Sequence, residues 1–252
     1  MTVAGRTIAI TGAARGLGQE FARHLAARGA AIVAGDVNDC TGTIELVKGA
    51  GGKGVAVRLD VTDPASAQGM VETGVDAFGR LDGLINNAAL YGALHGGRFD
   101  SIAEAEWDAC MAVNVKGIWN CCKAAVPAMR QAGGGSIVNI ASLAATYGMP
   151  YGLHYTASKA AVIGITRGLA RELGRDSIRV NALAPSAVLT EGTNEFFGDK
   201  LDRALQAVKA QQTIQRNLMP ADLAGTMAWL LSDDSAFITG QTIAIDGGTV
   251  ML

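Results

Sequence analysis

Tyr155 and Lys159 stand four residues apart in His154-Tyr155-Thr156-Ala157-Ser158-Lys159-Ala160, a stretch that opens a helical run ending near Leu173. On a helix this spacing puts both side chains on one face, with Cβ atoms roughly 5–6 Å apart. An ammonium beside a phenol favours the phenolate, so the phenol is expected to fall from its usual value of about 10 toward working pH. A phenol tuned in this way can pass a proton to or from a bound hydroxyl. Tyr and Lys four apart also occur for packing and solvation alone, so the chemistry needs support from the rest of the chain.

That support begins at the N-terminus. Thr7–Thr11 is an apolar run of strand length that stops at Gly12-Ala13-Ala14-Arg15-Gly16-Leu17-Gly18, and Leu17, Phe21 and Leu25 then recur at helical spacing until Gly29. Strand, Gly-rich turn and helix form a phosphate cradle: glycines let the backbone approach a pyrophosphate, and the helix N-terminus offers free N–H groups to it. The spacing is Gly-x-x-x-Gly-x-Gly rather than Gly-x-Gly-x-x-Gly. The next strand, Ala31–Gly35, ends on Asp36, eighteen residues after Gly18. A carboxylate there would hold the adenosine ribose hydroxyls and repel a 2′-phosphate, which favours NAD over NADP. Arg15 pulls the other way, since a basic residue in the loop could pair with that phosphate.

The elements continue in alternation. A polar helix at Cys40–Ala50 precedes a strand at Gly54–Leu59 ending on Asp60-Val61; a helix from Pro64 closes at Gly79; and Leu81–Ile85 ends on Asn86-Asn87-Ala88-Ala89. This pattern predicts an α/β fold, a doubly wound parallel sheet of about seven strands with helices on both faces, where ligands collect beyond the carboxyl ends of the strands. A long helix is expected from Glu104 to Met129, with an apolar stripe at Met111, Val115, Ile118, Cys122 and Ala125 and with Asn114 inside it. Strand Ser136–Ile140 leads to Ser142, thirteen residues before Tyr155, and strand Arg179–Leu183 leads into Ala184-Pro185-Ser186-Ala187-Val188-Leu189-Thr190. In the segment 190–219, Phe196 and Phe197 precede Leu201, Leu205 and Val208, a pattern that suits a surface hairpin or a substrate lid. A helix from Pro220 and a strand at Gln241–Ile245 complete one expected domain spanning 1–252.

Composition narrows the partners. A formal charge of −2 over 252 residues leaves no basic footprint for nucleic acid and no polybasic membrane signal. No stretch reaches the roughly 18 apolar residues of a membrane span, and no signal peptide is visible at the start. Cys40, Cys110, Cys121 and Cys122 show neither a disulfide framework nor metal spacing, which fits a reducing cytoplasm and buried apolar thiols. No His, Cys and carboxylate cluster suggests a metal. His154 is expected to be partly solvated, and Arg98 could anchor an acidic substrate.

Taken together, Thr11-Gly12-x-x-x-Gly16-x-Gly18, Asp60-Val61, Asn86-Asn87-Ala88-Ala89, Asn114, Ser142, Tyr155-x-x-x-Lys159 and the segment from Asn181 to Thr190 resemble the short-chain dehydrogenases/reductases, in order and spacing across nearly the whole chain. The resemblance implies Asn114, Ser142, Tyr155 and Lys159 as catalytic residues. It implies a cofactor site of Gly12, Arg15, Gly16, Leu17, Gly18, Asp36, Asp60, Val61, Asn87, Ala88, Tyr155, Lys159, Pro185, Val188 and Thr190. In that scheme Ser142 bonds the substrate oxygen and Tyr155 takes its proton. Lys159 lowers the Tyr155 pKa and holds the nicotinamide ribose, Val188 meets the carboxamide, and a main-chain carbonyl at Asn114 holds a water beside Lys159. Two departures stand out: Ala89 and Ser186 occupy places where the family usually has Gly. The resemblance further implies a homotetramer paired through two long helices and the last strand.

The expected activity is NAD-dependent interconversion of a secondary alcohol and a ketone, a class that includes cyclic and aromatic substrates. Rival activities are NADPH-dependent 3-oxoacyl carrier-protein reduction and sugar or polyol dehydrogenation. A regulator that senses NAD without turnover is the rival from another class.

Overall fold

A computed structural model describes residues 2–251. Its centre is a strand with no polar face: β1 (Thr7–Thr11) is buried along its whole length, as expected where helices cover both sides of a parallel sheet. Helix α1 (Gly16–Ala26) returns the chain to β2 (Ala31–Asp36), α2 (Thr41–Gly49) to β3 (Lys53–Arg58) and α3 (Pro64–Phe78) to β4 (Gly83–Asn86). Pro64 opens α3 and Gly79, in the left-handed region at φ 80°, closes it; proline lacks the N–H a first turn cannot use, and glycine accepts that torsion without strain.

The second half repeats the pattern with longer helices. Helix α4 (Glu104–Met111) and α5 (Gly117–Gln131) lead to β5 (Gly135–Ile140), and between them Ala112–Lys116 winds as a π-helical turn. A short α6 (Ala144–Tyr147) and α7 (Leu153–Leu173) precede β6 (Ile178–Pro185). After α8 (Glu191–Phe197), α9 (Leu201–Gln211) and α10 (Pro220–Leu230), β7 (Thr242–Ile245) ends the sheet. All pairings are parallel, in the order β3-β2-β1-β4-β5-β6-β7. The doubly wound sheet expected from the alternation is therefore present, and the order reverses between β1 and β4, where a crevice opens beyond the strand ends.

Two apolar layers flank the sheet. Ile8, Ile10, Phe21, Leu25 and Ile32 pack with α10 on one side, whereas Val33, Met70, Leu84, Cys121, Met129 and Ile137 fill the other. The four cysteines are free and buried, and burial pushes the Cys121 and Cys122 thiols up to about 12, which suits inert core residues.

A polar chain crosses the second layer. Asn86 Nδ2 donates to Asn139 Oδ1 at 2.8 Å, Asn139 Nδ2 to Thr166 Oγ1 at 2.9 Å, and Thr166 Oγ1 to the Val162 carbonyl at 2.8 Å. It joins β4, β5 and α7 through side chains that are all buried.

Candidate active site

The carboxyl ends of β1, β2, β4, β5 and β6 open into one cleft of about 440 Å³. Its lining includes Gly12, Arg15, Gly16, Leu17, Asp36, Asp60, Val61, Asn87, Ala88, Ser142, Tyr155, Lys159, Pro185, Val188 and Thr190. Of the expected site residues, Gly18 and Asn114 lie behind this wall rather than in it.

Gly18 sits where nothing larger fits: a Cβ there would stand 2.2 Å from the Gly12 carbonyl oxygen. Gly12 itself has φ +66°, and its Cβ would meet the Ala88 Cα at 2.7 Å. Asn87 spends its amide on this packing, with Nδ2 donating to the Thr11 and Gly12 carbonyls, both at 2.9 Å. Thr11 Oγ1 accepts from the Asn87 and Ala88 amides at 3.0 and 2.9 Å. Thr11 is a binding-site scaffold that spacing alone did not single out, although it heads the Gly-rich turn. Helix α1 then begins with no side-chain cap and no acidic residue in its first turn, and Gly16 and Leu17 of that turn line the cleft, so its unpaired N–H groups and positive dipole end are open to it. These residues fit a dinucleotide pyrophosphate.

Asp36, at the end of β2, is buried against its own turn. Oδ2 accepts from the Ala14 amide at 3.0 Å and Oδ1 from the Asn38 amide at 2.9 Å. The carboxylate is thus held at the β2 end of the crevice. Asp60 follows β3 and caps its loop, Oδ1 accepting from Thr62 N at 2.9 Å and Oγ1 at 2.7 Å, bonds that draw its pKa down.

At the other end, α7 brings Tyr155 and Lys159 to the cleft on one face. Lys159 Nζ lies 5.6 Å from the Tyr155 ring centroid and donates to the Ile140 carbonyl at 2.7 Å. Ser142 hydrogen-bonds Tyr155 and also accepts from Ala144 N at 3.2 Å. The lowered phenol expected from the spacing is not what the folded chain produces. Burial raises the Tyr155 pKa above its ordinary value, Tyr91 adds to the rise, and the Ser142 bond opposes it. Burial likewise lowers Lys159 to about 8. Removing both groups from water outweighs their proximity.

This has a measurable consequence. Lys159 gives up its proton near 8 when folded and near 10.5 when unfolded, so between those values the unfolded side chain holds more of its proton and the Lys159 contribution to stability rises with pH. The burial cost, fully present below about 8, is on the order of 3 kcal/mol. Tyr155 is shifted upward from 10.0, so above that value the unfolded phenol ionises first and stability falls again. Urea unfolding from pH 8 to 10 should show the wild type gaining stability relative to Lys159→Met, while the buried thiols, raised in the fold, lower both proteins alike as pH rises.

Asn114 lies in the π turn and is 1% exposed. Its Oδ1 accepts from Leu90 N at 2.7 Å, and Nδ2 donates to the Leu90 carbonyl and to Ser158 Oγ, both at 3.1 Å. The side chain therefore clamps the backbone beside Tyr91. Residues of the π turn are wound i to i+5, which redirects carbonyls that an α-helix would keep internal.

Tyr91 stacks 4.9 Å from Tyr155 and 4.7 Å from Phe196, and it hydrogen-bonds Thr193. Leu143, Tyr147, Met149, Phe197 and Val208 complete an apolar wall on this side. Ala89, in a place the family usually gives to Gly, is strain-free: among the described residues, only Tyr151 and Ser177 besides glycines have positive φ. Ser186 Oγ bonds the Gln212 amide at 3.1 Å, tying the end of α9 to the cleft floor.

Two expectations are corrected, for His154 and Arg98, and Arg15, expected as a partner for a phosphate, is found paired with Glu195 of α8. His154 is fully buried, with Glu106 Oε1 4.0 Å from Nε2. Arg98 pairs with Asp100 outside the cleft and anchors no substrate there.

The family model described as enoyl-(acyl carrier protein) reductase matches residues 12–250. A Thermotoga maritima 3-oxoacyl-[acyl-carrier-protein] reductase is 37% identical over 253 residues, covering 100% of both chains. Carveol dehydrogenase from Mycobacterium avium, solved with NAD, superposes with TM-score 0.92 at 31% identity over 98% of each chain. An Agrobacterium tumefaciens structure with bound NADP gives TM-score 0.88, also at 31% identity, over 98% of this chain and 97% of that one.

Proposed function

The chain belongs to the short-chain dehydrogenase/reductase family of oxidoreductases, and from that premise we propose that it interconverts a secondary alcohol and a ketone with NAD as the preferred carrier. The observation that carries this reading is the convergence of Ser142, Tyr155 and Lys159 at one end of a cleft whose other end holds a glycine cradle and the Asp36 carboxylate. The bound nicotinamide supplies the site that accepts or returns hydride. Ser142 and Tyr155 hold the substrate oxygen between their hydroxyls, and Tyr155 removes its proton in oxidation and returns it in reduction. Lys159 holds the cofactor ribose, and its charge favours the phenolate against the burial that opposes it. Asn114 positions the backbone beside Tyr91 and, through its π turn, offers a carbonyl for a water that connects Lys159 to solvent. Pro185, Val188 and Thr190 flank the nicotinamide.

The wall of Leu143, Tyr147, Met149, Phe197 and Val208 supports a neutral cyclic or aromatic substrate. It gives less support to sugars or polyols, whose hydroxyls need polar partners. The full-length likeness to a 3-oxoacyl carrier-protein reductase favours NADPH-linked reduction as a second reading; Asp36 opposes it. A panel of neutral cyclic secondary alcohols with NAD, set against 3-oxoacyl thioesters with NADPH, separates the two. The first reading expects kcat/KM at least about tenfold higher on the alcohol arm, and the reverse order sinks it.

Residues 190–219 act in this reading as a lid on the one domain, with Phe197 and Val208 facing substrate. A homotetramer is expected: β7 is a sheet edge, and Trp119 on α5, Phe237 and Met251 are exposed. Size exclusion with light scattering should return about four times the 25.9 kDa chain mass. A monomer would refute it. Four free buried cysteines support action in the reducing cytoplasm, with a small molecule as the partner rather than nucleic acid or membrane.

A further inference from the structure

Arg15 enters the cleft from the residue before α1, yet its guanidinium turns to the lid. Nη2 donates to Glu195 Oε2 at 2.8 Å and Nη1 donates to Oε1, so both prongs of the fork are taken. A phosphate would engage the guanidinium through the same two-pronged geometry. The chain neighbour of Arg15 is Ala14, whose amide holds the Asp36 carboxylate, so Arg15 is rooted at the adenosine end of the crevice. Among the described residues lining the cleft, the only other cation is Lys159, whose ammonium is committed to Ile140 at the far end. Arg58, the register partner of Asp36 on β3, does not line it. Asp36, Asp60 and Glu191 line it as carboxylates. A 2′-phosphate, with its roughly two negative charges, has Arg15 as its one candidate counter-ion there. A ribose hydroxyl needs none.

We propose that Glu195 is a cofactor-selectivity residue that acts through Arg15, withholding its guanidinium from a 2′-phosphate and so favouring NAD over NADP. The inference rests on the NAD-linked reading above and assigns part of that preference to a residue outside the cleft lining. The Arg15 and Glu195 side chains are 54% and 44% exposed. Such a pair is weakly held and screened by salt, so it acts as a competitor for the phosphate rather than as a permanent block. Glu191 and Asp36 add negative charge around the same guanidinium.

Dissociation constants for NADH and NADPH, measured by titration calorimetry in the wild type, Glu195→Gln, Arg15→Ala and the double variant, test this without a known substrate. Glu195→Gln is expected to tighten NADPH by roughly three- to tenfold while NADH changes by less than about twofold. In the double variant the gain should vanish. Equal tightening of both cofactors would assign Glu195 to lid closure alone and overturn the proposal. A gain that survives Arg15→Ala would trace to the lost negative charge and overturn it as well. Failure of the wild type to bind either cofactor would sink the dinucleotide reading itself, and the proposal with it.

Discussion

A Tyr155→Phe variant should lose about 10²–10⁴-fold in turnover of the secondary alcohol while its NADH dissociation constant stays within about threefold. The substitution keeps the ring and hence its 4.9 Å stack on Tyr91. It removes one oxygen, the atom that bonds Ser142 and that, in the proposed reaction, exchanges the substrate proton. A residue serving only to pack α7 would show little change in rate. A regulator that senses NAD would show none, because it has no turnover to lose. Paired measurement of NADH production and NADH binding decides the matter: survival of turnover, or joint loss of binding, would remove Tyr155 from the chemistry.

Gly18→Ala should be the most damaging methyl in the protein. Its Cβ would fall 2.2 Å from the Gly12 carbonyl oxygen and 2.7 Å from Asn87 Nδ2. Neither neighbour can retreat cheaply. Gly12 is held in the left-handed region against Ala88, and Asn87 is bonded to two carbonyls of the same turn. Overpacking of this kind costs about 1–3 kcal/mol, and the relief it forces on the turn should weaken NADH by at least about tenfold. Gly69→Ala is the contrast. It lies in α3, its added methyl would meet nothing within 4 Å, and it should stabilise by about 0.5–1 kcal/mol. Thermal unfolding of the two variants should therefore move in opposite directions, and a Gly18→Ala protein as stable as wild type would contradict the packing.

The sheet was legible because most strands are short apolar runs stopped by Gly, Asp or Asn, and because Pro64 and Gly79 mark a helix at both ends. Parallel pairing then placed Gly12, Asp36, Asp60, Asn86 and Ser142 on one rim before any side chain was positioned. The π turn at Asn114 was not legible. The apolar stripe from Met111 to Ala125 continues through it, and an apolar repeat does not register one widened turn. Nor could spacing reveal that Glu195 meets Arg15, 180 residues away, or that α7 begins deep enough to bury His154 completely. The Tyr155 expectation failed for a related reason: the distance to Lys159 can be read from a helix, whereas the burial that takes both groups from water depends on residues far away in sequence, such as Tyr91 against the Tyr155 ring.

The hydrogen-bonded series Asn86, Asn139, Thr166 and Val162 has a mechanical consequence. Greasy surfaces let a helix glide along a sheet at small cost, but displacement of α7 by a fraction of a turn would break the bond from Asn139 Nδ2 to Thr166 Oγ1 and that from Lys159 Nζ to the Ile140 carbonyl, leaving a buried donor without a mate in each case at about 1–3 kcal/mol or more. The helix is therefore indexed axially, so Tyr155 and Lys159 are set at a fixed height above the strand ends that border the cleft.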